Sequence, residues 1–74
     1  MRRTPADKWL DVVTANGLAQ GRAYEARQYG RCQDLADALT SAMEAATARH
    51  TYGSDPWCLA AVAAYEVSSV IYTA

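Results

Sequence analysis

Phenylalanine is absent from this chain. Histidine occurs once, cysteine twice, proline twice and glycine four times in 74 residues. Each scarcity removes a class of protein. Two cysteines do not make the disulfide framework of a small secreted scaffold. Cys32, Cys58 and the sole histidine, His50, lack the paired spacing that structural zinc requires, so no metal site is expected. The glycines, at 17, 21, 30 and 53, are scattered and form no phosphate-cradling loop. Positive charge is also short. Seven Lys and Arg stand against eight Asp and Glu, giving a net charge of −1, far from the field of a typical nucleic-acid binder. Arg2 and Arg3 are followed by Thr4, Pro5, Ala6, Asp7 and Lys8 rather than by an apolar run. No secretory leader is read there, and a cytoplasmic protein is expected.

What the chain does hold is alanine, sixteen residues of it, within an apolar share of 51%. That share is too high for a disordered segment. Alanine favours helices and lets them approach closely, but each one buries little area. The length sets one domain, and a domain this small buries only about 60% of its unfolded surface. The expectation is an all-α fold, a small domain of three to four helices with a modest core.

Local signals divide the chain. Thr4 as N-cap, Pro5 at the first helical position and Asp7 near the positive end of the dipole open a first helix. Asn16-Gly17, both tolerant of the left-handed conformation, reads as its stop, so helix 1 covers about residues 5–15. A single helix from Leu18 to His50 would span about 50 Å, with nothing to cover it. A break at Tyr29-Gly30 divides it into a polar helix over about residues 18–28 and a longer one over about 31–49. The longer helix places Cys32, Leu35, Ala36, Leu39, Ala42, Met43 and Ala46 on one face. Gly53 ends it, Ser54 or Asp55 caps the next, and Pro56 opens a last helix over about residues 56–73. Equal lengths and a short linker predict a C-terminal antiparallel helical hairpin.

The terminal helix is the most unusual segment. From Pro56 to Ala74 it carries one charged side chain, Glu66. Leu59, Val62, Ala63, Val67, Val70 and Ala74 form one apolar stripe, widened by Ala60, Ala61, Ala64 and Ile71. A helix apolar on most of its circumference needs cover on more than one side. Three arrangements supply it. The rest of the domain does so first, then a second copy or another protein, and last a bilayer, against which Glu66 at mid-helix argues. The expected core is Trp9, Leu35, Leu39, Met43, Leu59, Val62, Val67 and Val70.

Chemistry is sparse. In a hairpin, Cys32 and Cys58 open opposite ends, too far apart for a bridge that needs Cα atoms within about 7 Å, so both read as free thiols. His50 could approach Cys58, but no orienting group or pocket accompanies it, and no enzyme and no cofactor are expected. Asp34 to Met43 is similar to the first half of a helix-turn-helix, without the turn glycine. An uninterrupted amphipathic helix is the simpler reading. Arg22, Arg27 and Arg31 interleave with Tyr24 and Tyr29, a composition found at protein interfaces. Its plain alternative is a solvated surface with local pairs such as Arg31–Asp34.

The function expected is therefore binding to another protein, by an inhibitor or adaptor that covers a partner's surface and associates with itself as a homo-oligomer. Candidate partner-binding residues are Tyr24, Arg27, Tyr29, Arg31, Tyr65 and Tyr72. In size, composition and lack of motifs the chain is similar to small accessory proteins of the kind phages encode, a likeness that carries over no site residues. The alternative is a small helical nucleic-acid-binding regulator using Arg2, Arg3, Lys8, Arg22, Arg27 and Arg31. A membrane partner is the least favoured.

Overall fold

Thr4 and Asp7 set the start of the first helix by a reciprocal pair of hydrogen bonds. The Thr4 hydroxyl accepts from the Asp7 N–H at 3.1 Å, and the Asp7 carboxylate accepts from the Thr4 N–H at 3.1 Å. Two of the helix's otherwise orphaned donors are thereby satisfied. A computed structural model describes residues 2–73, with side chains through Ser68. Among the described residues the fold is all-helical: α1 (Pro5–Glu25), α2 (Tyr29–Thr47) and α3 (Asp55–Thr73), with each helix packed against the other two.

The stop expected at Asn16-Gly17 does not occur. α1 runs through both glycines to Glu25, and no separate helix over residues 18–28 forms. The reason is where Asn16 goes. Its side chain is 1% exposed. Its amide nitrogen donates to the Leu35 carbonyl of α2 at 2.9 Å and to the Tyr65 hydroxyl of α3 at 3.0 Å, and its oxygen accepts from Gln20. An asparagine occupied across two other helices is not available as a local helix stop. Gly17 and Gly21 each cost about 1 kcal/mol in a helix interior. Three hydrogen bonds at about 1 kcal/mol apiece offset that cost, and Ala23, two residues beyond Gly21, is buried as well.

α1 instead ends before the expected break at Tyr29-Gly30, at a cap with no glycine. The Gln28 N–H donates to the Ala23 carbonyl at 2.8 Å and the Arg27 N–H to the Tyr24 carbonyl at 3.0 Å. This is a Schellman motif. Arg27 takes the left-handed position usually given to glycine, with φ 60°. α2 then begins at Tyr29 and carries Gly30 in its first turn.

α2 follows its periodicity closely. Leu35, Ala42 and Ala46 are buried, while Cys32, Ala36, Leu39 and Met43 are half-buried. Ala38, omitted from the expected stripe, is buried too. The helix passes Thr40 without a turn and ends at Thr47, two residues earlier than expected. In the linker Gly53 has φ 82°, and the Ser54 hydroxyl accepts the Trp57 N–H at 3.3 Å while donating to the Thr51 carbonyl at 2.7 Å.

α3 turns a different face inward from the one its larger aliphatic residues suggest. Trp57, Cys58 and Ala61 are buried, and Tyr65 is half-buried behind them. Leu59 and Val67, both expected in the core, are 48% and 66% exposed. Two residues apart on a helix means about 200° of rotation, so Trp57 and Leu59 cannot both face the core. A buried Trp removes about 150–250 Å² from water, or about 4–6 kcal/mol, against about 2 kcal/mol for a Leu or Val. Trp57 therefore sets the rotation. Its indole N–H reaches the Thr47 hydroxyl at 3.0 Å, and its ring meets Trp9 edge-on with centroids 5.4 Å apart. Trp9, Leu39, Met43 and Val62 sit at the margins, half-buried. Val70, Ile71 and Tyr72 have side chains outside the described set. Among the described residues five of the eight buried apolar ones are alanines, so the helices there are close and the core is thin. No described helix is long and apolar enough to cross a membrane.

Two outcomes follow for stability. Asn16→Ala removes a buried amide that serves three helices and lowers unfolding free energy by about 2 kcal/mol, whereas Tyr65→Phe costs about 1 kcal/mol; chemical denaturation measures both. The Asp7 carboxyl lies below its ordinary value of 3.8, through the Thr4 backbone N–H, then the Thr4 hydroxyl, with a smaller contribution from Arg3. A depressed folded-state value stabilises above the unfolded value and is lost as pH falls through the folded one. Acid titration followed by circular dichroism is expected to show wild type more stable than Asp7→Asn near neutrality, with the two converging well below pH 3.8.

Candidate functional site

Reactive side chains do not converge in this fold. Cys32 and Cys58 are free, and Cys58 is buried in the alanine core. His50 lies exposed beyond the end of α2, where its backbone N–H donates to the Ala46 carbonyl at 2.9 Å. Among the described residues no group of three or more His, Cys, Asp or Glu could hold a metal ion. No buried side-chain nitrogen or oxygen is left without a partner among them either, so no orphaned polar atom marks a ligand.

What the fold brings together is a corner where α1 hands over to α2. Tyr24, in the last turn of α1, and Tyr29, the first residue of α2, meet edge-on with ring centroids 5.4 Å apart. They remain 64% and 56% exposed. Between them lies Arg27, exposed and held in the left-handed conformation by the cap. Arg22 and Arg31 stand on the two helices beside it and line a shallow notch with Ala19, Ala23, Ala26 and Gln28. None of the three guanidinium groups has an ion-pair or hydrogen-bond partner among the described residues, and the pair of Arg31 with Asp34 is not formed. At the opposite end of α1 the charges are engaged, with Arg3 paired to Asp11 and Asp7 capping the helix.

Of the candidates chosen from sequence, Tyr24 and Tyr29 share one surface with Arg27 between them in sequence, while Arg31, two positions from Tyr29 and so turned about 200° from it, lies on the notch with Arg22. Tyr65 is elsewhere: it is half-buried, and its hydroxyl accepts from Asn16 inside the bundle. Tyr72 lies outside the described side chains. Arg22 and Gln28 join the notch without having been chosen. Arg22 is separated from Arg31 by nine positions, and only the backbone reversal between the helices brings them to one rim.

A second surface lies on α3. Leu59, Ala63 and Val67, spaced four apart, are exposed along its outer side. Beside them a groove between α2 and α3 is lined by Ala45, Arg49, Ala60, Ala63, Ala64 and Val67. Small side chains here let another helix come near.

Compared with protein-family models, with curated proteins and with solved structures, the chain matches none. The reading of its surfaces rests on their chemistry.

Arg27 gives that reading a handle. A side chain in the left-handed region costs about 1 kcal/mol that glycine does not incur. Arg27→Gly is expected to raise unfolding free energy by about that amount in denaturant titration, while removing a guanidinium from the corner.

Proposed function

We propose that this chain is a non-enzymatic protein-binding protein, an inhibitor or adaptor that covers part of a partner's surface. The observation that carries the reading is the exposed Tyr24–Tyr29 pair at the helix junction, with Arg27 in the turn between them. Tyrosine and arginine are the residues enriched where interface energy concentrates, because each offers large contact area together with polar atoms. The cap supports it further: a strained arginine kept where glycine would be cheaper is a cost without return inside the folded chain. Both helices that form the corner are anchored by Asn16, so the surface is preformed and little ordering is lost on contact.

Self-association belongs to the same reading, with a changed premise. The expectation was a terminal helix sheltered on nearly its whole circumference. Within one chain the described side chains of α3, through Ser68, are covered on one side only, so enclosure no longer supplies the argument. What supports a second copy is the uncovered Leu59–Ala63–Val67 row, contiguous with an alanine-lined groove, since rows of this kind mark interaction sites more often than single exposed residues do. We read α2 and α3 as an antiparallel hairpin presenting that row. Supporting this, Trp57 at the start of α3 meets Thr47 at the end of α2, while Asn16 links Leu35, early in α2, to Tyr65, late in α3. The setting in this reading is the cytoplasm.

Nucleic-acid binding is the weaker alternative. Arg2, Arg3 and Lys8 lie at one end of α1, and Arg22, Arg27 and Arg31 at the other, about 20 Å or more along the helix. A basic face that tracks a phosphate backbone needs several contacts in one row.

Sedimentation equilibrium and photocrosslinking test the proposal together. Wild type is expected above the single-chain mass of 8.0 kDa, and Leu59→Lys with Val67→Lys at that mass with unchanged helicity. A photoreactive residue at position 29 is expected to capture a discrete host protein, and Arg27→Ala with Arg31→Ala to abolish the capture. Wild type at 8.0 kDa across the concentration range removes self-association. An empty crosslink removes the partner.

A further inference from the structure

Between residues 19 and 31 the chain places three arginines and one carboxylate, Glu25. Surface arginines are commonly unpaired, and ion pairs between exposed groups are worth little. Arg22 also has a local role, as the basic residue in the last turn of α1, where a cation suits the negative end of the dipole. These facts account for any one of the arginines. They do not account for Arg22 and Arg31 reaching, from two different helices, the rim of the same notch.

The floor of that notch is made by Ala19, Ala23 and Ala26, one row of α1. Alanine methyls leave room between the guanidinium groups and offer no acceptor to satisfy them. Glu25, three residues from Arg22, forms no pair with it, and Asp34 none with Arg31. The start of α2 adds nothing to neutralise the region, for its N-cap Gln28 makes no side-chain hydrogen bond and its first turn holds no acid. Neither guanidinium of the notch is therefore paired with a carboxylate of the chain.

We infer that the partner docks an acidic segment here, with an Asp or Glu carboxylate entering the notch between Arg22 and Arg31. Guanidinium forks suit a planar carboxylate and donate charge-assisted hydrogen bonds to it. A peptide fits better than a nucleic acid, because the notch holds two cations among alanines and Gln28 rather than a continued basic track. The inference rests on the protein-binding reading and adds the chemistry of the partner.

Amide chemical shifts during titration with hexaglutamate test it, with oligothymidylate of matched charge as the second probe. Hexaglutamate is expected to move the amides of Ala19, Ala23, Ala26 and Gln28 in wild type. In Arg22→Gln with Arg31→Gln its apparent affinity is expected to fall about tenfold, the loss of a charged hydrogen bond or more. Arg2→Gln with Lys8→Gln, which removes the same charge at the far end of α1, is expected to leave it unchanged. Equal losses in both double variants, no movement at these amides, or stronger binding of oligothymidylate at the notch would each overturn the inference. If the crosslinked partner is still captured through position 29 in that event, the protein-binding reading stands and the acidic chemistry alone is lost.

Discussion

One buried amide holds the three helices in register. Asn16 donates to α2 and α3 from the middle of α1, and its oxygen is satisfied by Gln20 one turn on. In an alanine core the side chains are short and similar, and they discriminate poorly between one helix rotation and the next. A polar group that must find its partners does discriminate, because each wrong register leaves it desolvated and unpaired. The same amide explains why α1 survives two interior glycines. Without it, the Asn16-Gly17 step has the chemistry of a helix end.

Trp57 is the other constraint, and it acts by size. Among the described residues it and Asn16 are the two largest fully buried side chains. Placing it against Trp9, Met43 and Ala46 commits the rotation of α3. The remaining aliphatic residues of that helix are then distributed by geometry rather than by preference, and Leu59 and Val67 fall on the outside. A helix that is apolar all round has no single inward face written in its pattern; the largest residue selects one.

How far the sequence could be read follows from where each signal is local. The start of α1, the linker at Gly53 and Ser54, and the buried stripe of α2 depend on neighbours within one or two turns, and residue pattern identified them. The continuity of α1 depends on contacts 19 and 49 residues away, which no pattern near Asn16 discloses. The cap after Glu25 lacks glycine, so its backbone hydrogen bonds had no compositional mark, and the break was placed instead at the nearby Gly30. Aliphatic spacing in α3 pointed to a face that the tryptophan at its first turn overrode. The Arg22–Arg31 cluster of arginines and tyrosines is legible because its composition is local, but that Arg22 and Arg31 line one notch depends on the reversal of the chain.

Both proposed binding surfaces are what the core leaves uncovered: an arginine and tyrosine corner at one helix junction and an aliphatic row on α3. Both depend on α1 being one helix pinned through Asn16. The side-chain amide of Asn16 reports on that directly by nuclear magnetic resonance. The account predicts amide protons that exchange slowly with solvent and show contacts to Leu35 and to the Tyr65 ring, with helical shifts unbroken from Val13 to Gln20. Rapid exchange of that amide, together with a loss of helical shifts at Asn16 and Gly17, would contradict it.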